Sequence, residues 1–184
     1  MTTGEQKQRL IQIVTARSFR RGEFTLASGK KSNLYFNLKP TMMDPEGAHL
    51  IASAMLDLLP PGTDYVGGLE MGAVPLAAAC AAISFEQDRP VRAFFVRKQA
   101  KEHGAKQQVE GLAEGETLAG RRVALLEDVT TTGGSVLKAA LMVREAGGAV
   151  DTVVTVLDRL EGAGEALAAE GLALKPVLTA RDFI

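Results

Sequence analysis

The sequence predicts an α/β fold with a mostly parallel central sheet and helices on both of its faces. Short apolar runs without the alternation of a half-exposed strand recur along the chain, and helical patterns separate them. The chain has 184 residues, 46% hydrophobic and 23% charged, which is ordinary usage for a globular protein. We therefore expect one domain over residues 1–184, which is too short for a barrel of eight strand–helix units.

The first element with clear boundaries is a helix that starts after Asp44. Asp44 is a suitable N-cap, and Pro45 and Glu46 are typical of a first helical turn. The apolar stripe of this helix consists of Ile51, Ala54, Met55 and Leu58. Pro60 and Pro61 end the helix, since proline cannot continue it.

The rest of the chain alternates between strands and helices. In order, the pattern predicts a strand at 65–68, a helix at about 74–84, a strand at 91–96, a polar stretch at 97–115, a strand at 123–126, a helix with Val136, Ala139, Ala140 and Val143 on one face, a strand at 153–157, a helix near 161–170 and a strand near 172–178. Parallel sheets bind ligands beyond the carboxyl ends of their strands. The loops at 69–73, 97–115 and 127–135 should meet there.

Charge and cysteine content exclude several classes of protein. Lys and Arg number 21 against 22 Asp and Glu, so the chain has no overall positive field for nucleic acid, and an anion site must be local. Cys80 is the one cysteine, and the first residues lack the apolar core of a signal peptide. The apolar run at 73–85 is too short to span a membrane. We expect a cytoplasmic protein that binds neither nucleic acid nor membrane.

The segment VALLEDVTTTGGS, at residues 123–135, carries the clearest chemical signal. Two glycines let backbone N–H groups surround an anion, hydroxyl groups donate further hydrogen bonds, and the following helix start is electropositive. The segment predicts a phosphate site. It is neither a Walker A loop nor a GxGxxG turn.

The acids at the start of this loop have two functional interpretations and one structural one. Glu127 and Asp128 could accept hydrogen bonds from ribose hydroxyls, or hold the water shell of Mg²⁺. Taken alone, they could also be an N-cap and a solvated strand end, since acids before helices are common.

VALLEDVTTTGGS resembles the ribose-phosphate-binding signature of type I phosphoribosyltransferases, although the acid pair here is Glu-Asp. These enzymes join a nitrogen base to the ribose 5-phosphate of 5-phosphoribosyl 1-diphosphate (PRPP). The resemblance implies that Mg²⁺ is bound mainly by PRPP and water, with no metal ligand from the protein. It implies PRPP contacts from Glu127, Asp128, Val129, Thr130, Thr131, Thr132, Gly133, Gly134 and Ser135.

Residues 24–38, FTLASGKKSNLYFNL, resemble the N-terminal segment, about residues 1–40, that covers the base in family members acting on orotate. That match implies that Tyr35 and Phe36 lie beside the orotate ring, although core packing is the ordinary role of such residues. Ala27 replaces a lysine found in many relatives, so Lys30 or Lys31 would have to supply any cation there.

Two further segments carry the same resemblance. In LDRLEG, at 157–162, Arg159 matches the arginine that faces the orotate carboxylate, although a surface pair with Glu161 is the simpler alternative. Thr131 is also expected to contact orotate. In GLEMGAVP, at 68–75, Met71 and Gly72 correspond to a turn that contacts diphosphate through backbone groups.

RKQAKEHG, at residues 97–104, resembles the catalytic loop of these enzymes. Arg97, Lys98, Lys101 and His103 match its cationic positions, although a polar loop is often only a solvated charge cluster. The resemblance implies PRPP contacts from these cations and catalytic roles for Arg97, Lys101 and His103, together with Asp128. The loop of the family reaches the neighbouring subunit's site, which implies a homodimer.

The implied activity is transfer of ribose 5-phosphate from PRPP to N1 of orotate in pyrimidine biosynthesis, giving orotidine 5′-monophosphate and diphosphate. A purine or another base is an alternative acceptor, which Tyr35, Phe36 and Arg159 disfavour. A PRPP-sensing regulator without enzymatic activity is a third hypothesis. The regulator is disfavoured because the chain keeps the cationic segment at 97–104 and has no overall excess of Lys and Arg for binding nucleic acid.

Overall fold

The computed structural model describes residues 3–25, 31–99 and 108–184. In chain order, its elements are α1 (Gly4–Arg17), β1 (Phe19–Thr25), β2 (Lys31–Phe36), α2 (Lys39–Met42), α3 (Pro45–Leu58), β3 (Tyr65–Gly67), α4 (Ala73–Glu86), β4 (Arg92–Ala93), β5 (Phe95–Val96), β6 (Val109–Glu110), β7 (Arg122–Thr130), α5 (Gly134–Glu145), β8 (Ala149–Asp158), α6 (Ala163–Ala169), β9 (Ala173–Thr179) and a 3₁₀ helix (Ala180–Phe183).

The central sheet of the described residues has five parallel strands in the order β4-β3-β7-β8-β9. Along β7, Ala124 and Leu126 pack into a core formed with α1, α3 and α4. The alternate residues Val123 and Leu125 pack into a second core formed with α5 and α6. Both faces of the sheet are therefore buried, which confirms the predicted fold class and explains why its strands are continuous apolar runs.

Helix α3 begins and ends where the sequence predicts. The Asp44 side chain accepts a hydrogen bond of 3.0 Å from the backbone N–H of Gly47. The helix ends at Leu58, before the two prolines. The cap satisfies one of the N–H groups that have no partner within the helix, which typically stabilises a helix by about 1 kcal/mol.

Three strand predictions differ from the structure, one of them only in length, since β8 begins at Ala149, four residues before the predicted start. Strand β7 continues past Leu126 to Thr130, because Glu127, Val129 and Thr130 pair with residues of β8. The two acids of the motif therefore lie within the strand and not in the loop after it. The predicted strand at 91–96 is divided: β4 belongs to the central sheet, whereas β5 pairs with β6 in a separate antiparallel ribbon.

The N-terminal elements α1, β1 and β2 were not predicted from the sequence. Helix α1 starts at a capping box, in which Thr3 and Gln6 bind each other's backbone N–H groups at 2.8 and 3.2 Å. β1 and β2 form an antiparallel hairpin. The hairpin is anchored to the core by rings, since Phe19 and Phe36 lie 5.4 and 5.3 Å from Phe183 between centroids.

Cys80 lies in helix α4, and its side chain packs in the hydrophobic core. Its side chain is 0% exposed, and burial raises the pKa of the thiol to about 12. None of the helices within the described ranges is long and apolar enough to cross a membrane.

Candidate active site

The phosphate segment forms a cavity of about 290 Å³ at the carboxyl end of β7. Its described lining consists of Glu127, Val129, Thr130, Thr131, Thr132, Gly133, Gly134, Ser135, Val136 and Lys138. Gly133 has φ +85°, a left-handed conformation that favours glycine and turns the chain into α5. Lys138 was not predicted; its position one helical turn into α5 is the signal that could have identified it. Backbone N–H groups at a helix start and a lysine suit a phosphate.

A larger cavity of about 840 Å³ lies between residues 108–118 and the end of α5. Its described lining includes Glu110, Glu114, Glu116 and Glu145, and no lysine or arginine among those residues. Such a lining repels anions, so size alone does not identify the phosphate site.

Glu127 lines the phosphate cavity, and Asp128 follows it in β7. Glu127 is 8% exposed, and burial together with the neighbouring Asp128 raises its pKa to about 8, although Lys98 acts in the opposite direction. The Oδ1 atom of Asp128 accepts a hydrogen bond of 2.8 Å from the N–H of Val129. The raised pKa favours the protonated form of Glu127, which can donate as well as accept a hydrogen bond.

The raised pKa of Glu127 predicts that stability falls as pH rises. The folded protein binds one proton more than the unfolded chain between about pH 5 and pH 8, so the free energy of unfolding is greatest at the acidic end of that window. From pH 5 to pH 8, it should fall by at least about 1.4 kcal/mol, the value of one pKa unit. Glu127→Gln should remove this fall, which urea unfolding at several pH values measures.

Glu165→Gln is the matched control, since Glu165 is exposed on α6. It should retain the pH dependence of the wild-type protein. An equal slope in Glu127→Gln and wild type would show that the buried carboxyl of Glu127 does not carry the effect.

The turn between β3 and α4 lies against the same acids. A Cβ atom at Gly72 would lie 2.8 Å from Oδ1 of Asp128, so only glycine lets this turn approach so closely. Glu70 accepts a hydrogen bond of 2.9 Å from the N–H of Lys98, and its own N–H donates to Val96 at 2.8 Å. Met71 is 62% exposed. The structure thus brings the predicted turn together with Asp128 and with the first residues of the cationic segment.

The cationic segment lies partly outside the described residues. Lys101 and His103 fall in that part, so their predicted roles stay predictions. Arg97 donates to Oε1 of Glu110 at 3.1 Å, and its Nε is buried without a hydrogen-bond partner among the described atoms. The contact with Glu110 uses Nη1 alone, so the guanidinium, which has five N–H donors, keeps others for an anion.

Arg159 follows β8 directly and reaches back to the hairpin. Its Nη2 donates to Oγ of Ser32 at 2.9 Å and lies 2.8 Å from Oε1 of Glu161. The side chain is only 8% exposed, so Arg159 is not a free surface residue. The contact with Glu161 was the alternative considered from the sequence, whereas the bond to Ser32 was not predicted.

The other predicted base contacts are separated by the pleat of β2. Phe36 points into the core, and Tyr35 points to the opposite face, where its ring stacks on Phe24 at 5.2 Å. Lys31 is exposed, while Ala27 and Lys30 lie outside the described residues. Neighbouring residues of one strand cannot both face the same ring, so at most one of Tyr35 and Phe36 can stack on a bound base.

A family model described as the phosphoribosyl transferase domain matches residues 43–170. An orotate phosphoribosyltransferase of Bradyrhizobium sp. (strain ORS 278) is 57% identical over 185 residues, covering 100% of this chain and 100% of the relative. The chain belongs to the orotate phosphoribosyltransferase family.

Solved members of the orotate phosphoribosyltransferase family have the same fold. The Mycobacterium tuberculosis H37Rv enzyme in complex with Fe(III) dicitrate has a TM-score of 0.82 and 38% identity, over 96% of this chain and 98% of that one. The same enzyme in complex with PRPP has a TM-score of 0.79 and 36% identity, with the same coverage. An adenine phosphoribosyltransferase of Thermoanaerobacter pseudethanolicus is 17% identical with a TM-score of 0.65, a likeness of fold alone.

Proposed function

We propose that this protein transfers ribose 5-phosphate from PRPP to N1 of orotate, giving orotidine 5′-monophosphate and diphosphate for pyrimidine synthesis. The observation that carries the proposal is the phosphate cavity at the end of β7, with Arg159 at the end of the neighbouring strand β8. The cavity suits the phosphate of a sugar phosphate, and the guanidinium of Arg159 suits a planar carboxylate. A molecule that carries both groups is the product of this reaction.

The residues around the cavity suggest how the substrates would be held. Residues 130–135 would bind the 5-phosphate, and Glu127 and Asp128 would face the ribose hydroxyls. Backbone groups of Met71 and Gly72 would contact the diphosphate. Thr131 and Tyr35 are the further base contacts of the proposal, and Phe36 holds the hairpin on the core. These placements orient C1 of the ribose towards the ring nitrogen of orotate.

Departure of the diphosphate is the step that needs positive charge. Negative charge grows on the diphosphate as its bond to C1 breaks, so Arg97, Lys98, Lys101 and His103 would stabilise the transition state more than the bound substrate. The sugar that remains resembles a carbocation. N1 of orotate forms a bond to its C1, and the proton of N1 leaves to the departing diphosphate. Exclusion of water by the cationic segment would prevent hydrolysis. No covalent bond to the protein is required.

The residues present are compatible with Mg²⁺ bound through PRPP. The described residues contain no cluster of three or more His, Cys, Asp or Glu side chains that could enclose a metal. Mg²⁺ commonly binds through substrate phosphates and water, which needs no such cluster. When bound in this way, it would neutralise charge on the diphosphate.

The proposal includes a homodimer in which residues 97–115 act at the neighbouring subunit's site. It also includes one phosphoribosyltransferase domain over residues 1–184, with about 1–40 covering the base, and a cytoplasmic location. The single cysteine, which is buried, supports a reducing compartment.

The test is a base-specificity assay with purified protein, PRPP and Mg²⁺. Orotate should be consumed with stoichiometric release of diphosphate, whereas adenine, hypoxanthine and uracil should react far more slowly. Preferred consumption of a purine would overturn the choice of base. PRPP binding without turnover of any base, under conditions where a known enzyme works, would favour a regulator.

Arg159→Ala should lower kcat/KM for orotate by roughly 10- to 100-fold, since a hydrogen bond to a charged group contributes about 1.5–3 kcal/mol. The dissociation constant of PRPP should change by less than about 3-fold. The preference for orotate over uracil should also fall, because uracil lacks the carboxylate. Steady-state kinetics with both bases measure these values.

Ser32→Ala is the control for a purely structural effect, because it removes the shorter of the two contacts of Arg159 with the hairpin and leaves its charge and the 3.5 Å bond to the carbonyl of Leu34. It should keep the preference for orotate over uracil. If Arg159→Ala also keeps that preference, Arg159 does not bind the carboxylate.

A further inference from the structure

Asp158 lies at the point where the two halves of the proposed site meet. It is the last residue of β8, and its side chain is only 6% exposed. It pairs in the sheet with Thr130, the last residue of β7, which is 2% exposed. The chain enters the phosphate cavity directly after Thr130, and Arg159 directly follows Asp158. The chemistry proposed above uses neither the carboxyl of Asp158 nor its position.

One oxygen of Asp158 holds both segments. Its Oδ1 accepts a hydrogen bond of 3.1 Å from the hydroxyl of Thr130 and one of 3.0 Å from the N–H of Leu160. The N–H of Arg159 donates to the carbonyl of Thr130 at 3.0 Å. The phosphate loop and the turn that carries Arg159 are thus tied to each other by two direct contacts.

The turn after β8 needs this support. Leu160 has φ +60°, a left-handed conformation that is unfavourable for a residue with a Cβ atom such as leucine. The hydrogen bond from the N–H of Leu160 to the carboxylate of Asp158 gives this N–H a partner outside any helix or sheet, and bonds of this kind stabilise turns. Without it, the backbone on both sides of Arg159 can relax, and the guanidinium would move relative to the phosphate loop.

We propose that Asp158 is a positioning residue, which sets the separation between the phosphate loop and Arg159 so that both ends of one nucleotide bind together. Two binding sites held at a fixed separation bind a spanning ligand more tightly. Once one end of the ligand is bound, the other end binds with little further loss of translational and rotational entropy. The inference rests on the proposed function, in which orotidine 5′-monophosphate is the spanning ligand.

Binding of three ligands distinguishes a positioning role of Asp158 from a general loss of stability. Calorimetry with ribose 5-phosphate reports the phosphate half, orotate reports the base half, and orotidine 5′-monophosphate reports both. In Asp158→Ala, affinity for the nucleotide should fall by about 10-fold or more, while affinity for ribose 5-phosphate should fall by less than about 3-fold. The loss of binding free energy for the nucleotide should exceed the sum of the losses for ribose 5-phosphate and orotate.

Two more variants test the role of the shared oxygen. Asp158→Asn keeps an oxygen that can accept both bonds, so it should bind the nucleotide within about 3-fold of wild type. Thr130→Val removes one of the two bonds. Because Thr130 also lines the phosphate cavity, ribose 5-phosphate is titrated as well, and the affinity for the nucleotide should fall further than the affinity for ribose 5-phosphate. Thr130→Val also keeps the inference testable if Asp158→Ala does not fold.

Asp64→Ala is the matched control. Asp64 accepts a hydrogen bond of 2.8 Å from the N–H of Arg122, at the opposite end of β7 from the cavity. It should change none of the three affinities. Equal nucleotide binding in the Asp158→Ala and Asp64→Ala variants, or failure of Asp158→Asn to restore binding, would overturn the inference alone. A wild-type protein that forms no orotidine 5′-monophosphate would overturn the proposed function and this inference together.

Discussion

Replacing Gly134 by aspartate should weaken PRPP binding by roughly 100-fold or more. Gly134 lines the phosphate cavity at the first turn of α5, and a Cβ atom there would meet no atom within 4 Å. The new carboxylate would therefore fit the fold but occupy the phosphate site. Like charges brought together at a binding site cost several kcal/mol. Calorimetry with PRPP and Mg²⁺ measures the loss.

Gly164→Asp provides a closely matched control for this variant. Gly164 lies in the first turn of α6, and a Cβ atom there also meets nothing within 4 Å. Both substitutions place an acid near a helix start, where it favours stability. Gly164→Asp should bind PRPP normally. If Gly134→Asp binds PRPP as well as this control does, the cavity after β7 is not the phosphate site.

Lys101→Ala should lower kcat by roughly 100- to 1000-fold, the usual effect of removing one group that stabilises transition-state charge. The dissociation constant of PRPP should change far less, because the charge on the diphosphate grows only as the bond to ribose breaks. Single-turnover kinetics combined with PRPP titration separate the two quantities.

Lys106→Ala is the control within the same segment, since Lys106 matches none of the family's cationic positions. It should keep most of the activity. A similar loss in both variants would mean that total positive charge in the segment matters, whereas an unchanged kcat in Lys101→Ala would refute the role proposed for Lys101.

Local chemistry made the phosphate loop predictable. Gly133 adopts the left-handed conformation that its residue type favours, and Asp44 caps α3 as its position suggests. The start of α1 carried a comparable signal, the capping box of Thr3 and Gln6, which could have identified this helix.

Contacts between distant residues could not be predicted in the same way. The end of β7 was misplaced because Glu127 and Asp128 suggest a loop, whereas pairing with β8 keeps them in the strand. The bond between Ser32 and Arg159 joins residues 127 positions apart. Residue types alone give no information on such a contact, nor on the shared hydrogen bonds of Asp158.

The buried thiol of Cys80 makes the folded protein convenient for site-specific labelling. Alkylating reagents attack thiolates, and a pKa of about 12 in a fully enclosed side chain leaves almost none at neutral pH. A cysteine introduced at a surface position would therefore be the one reactive site in the chain. A fluorophore attached there would label the folded protein at that position alone, without removal of the native cysteine.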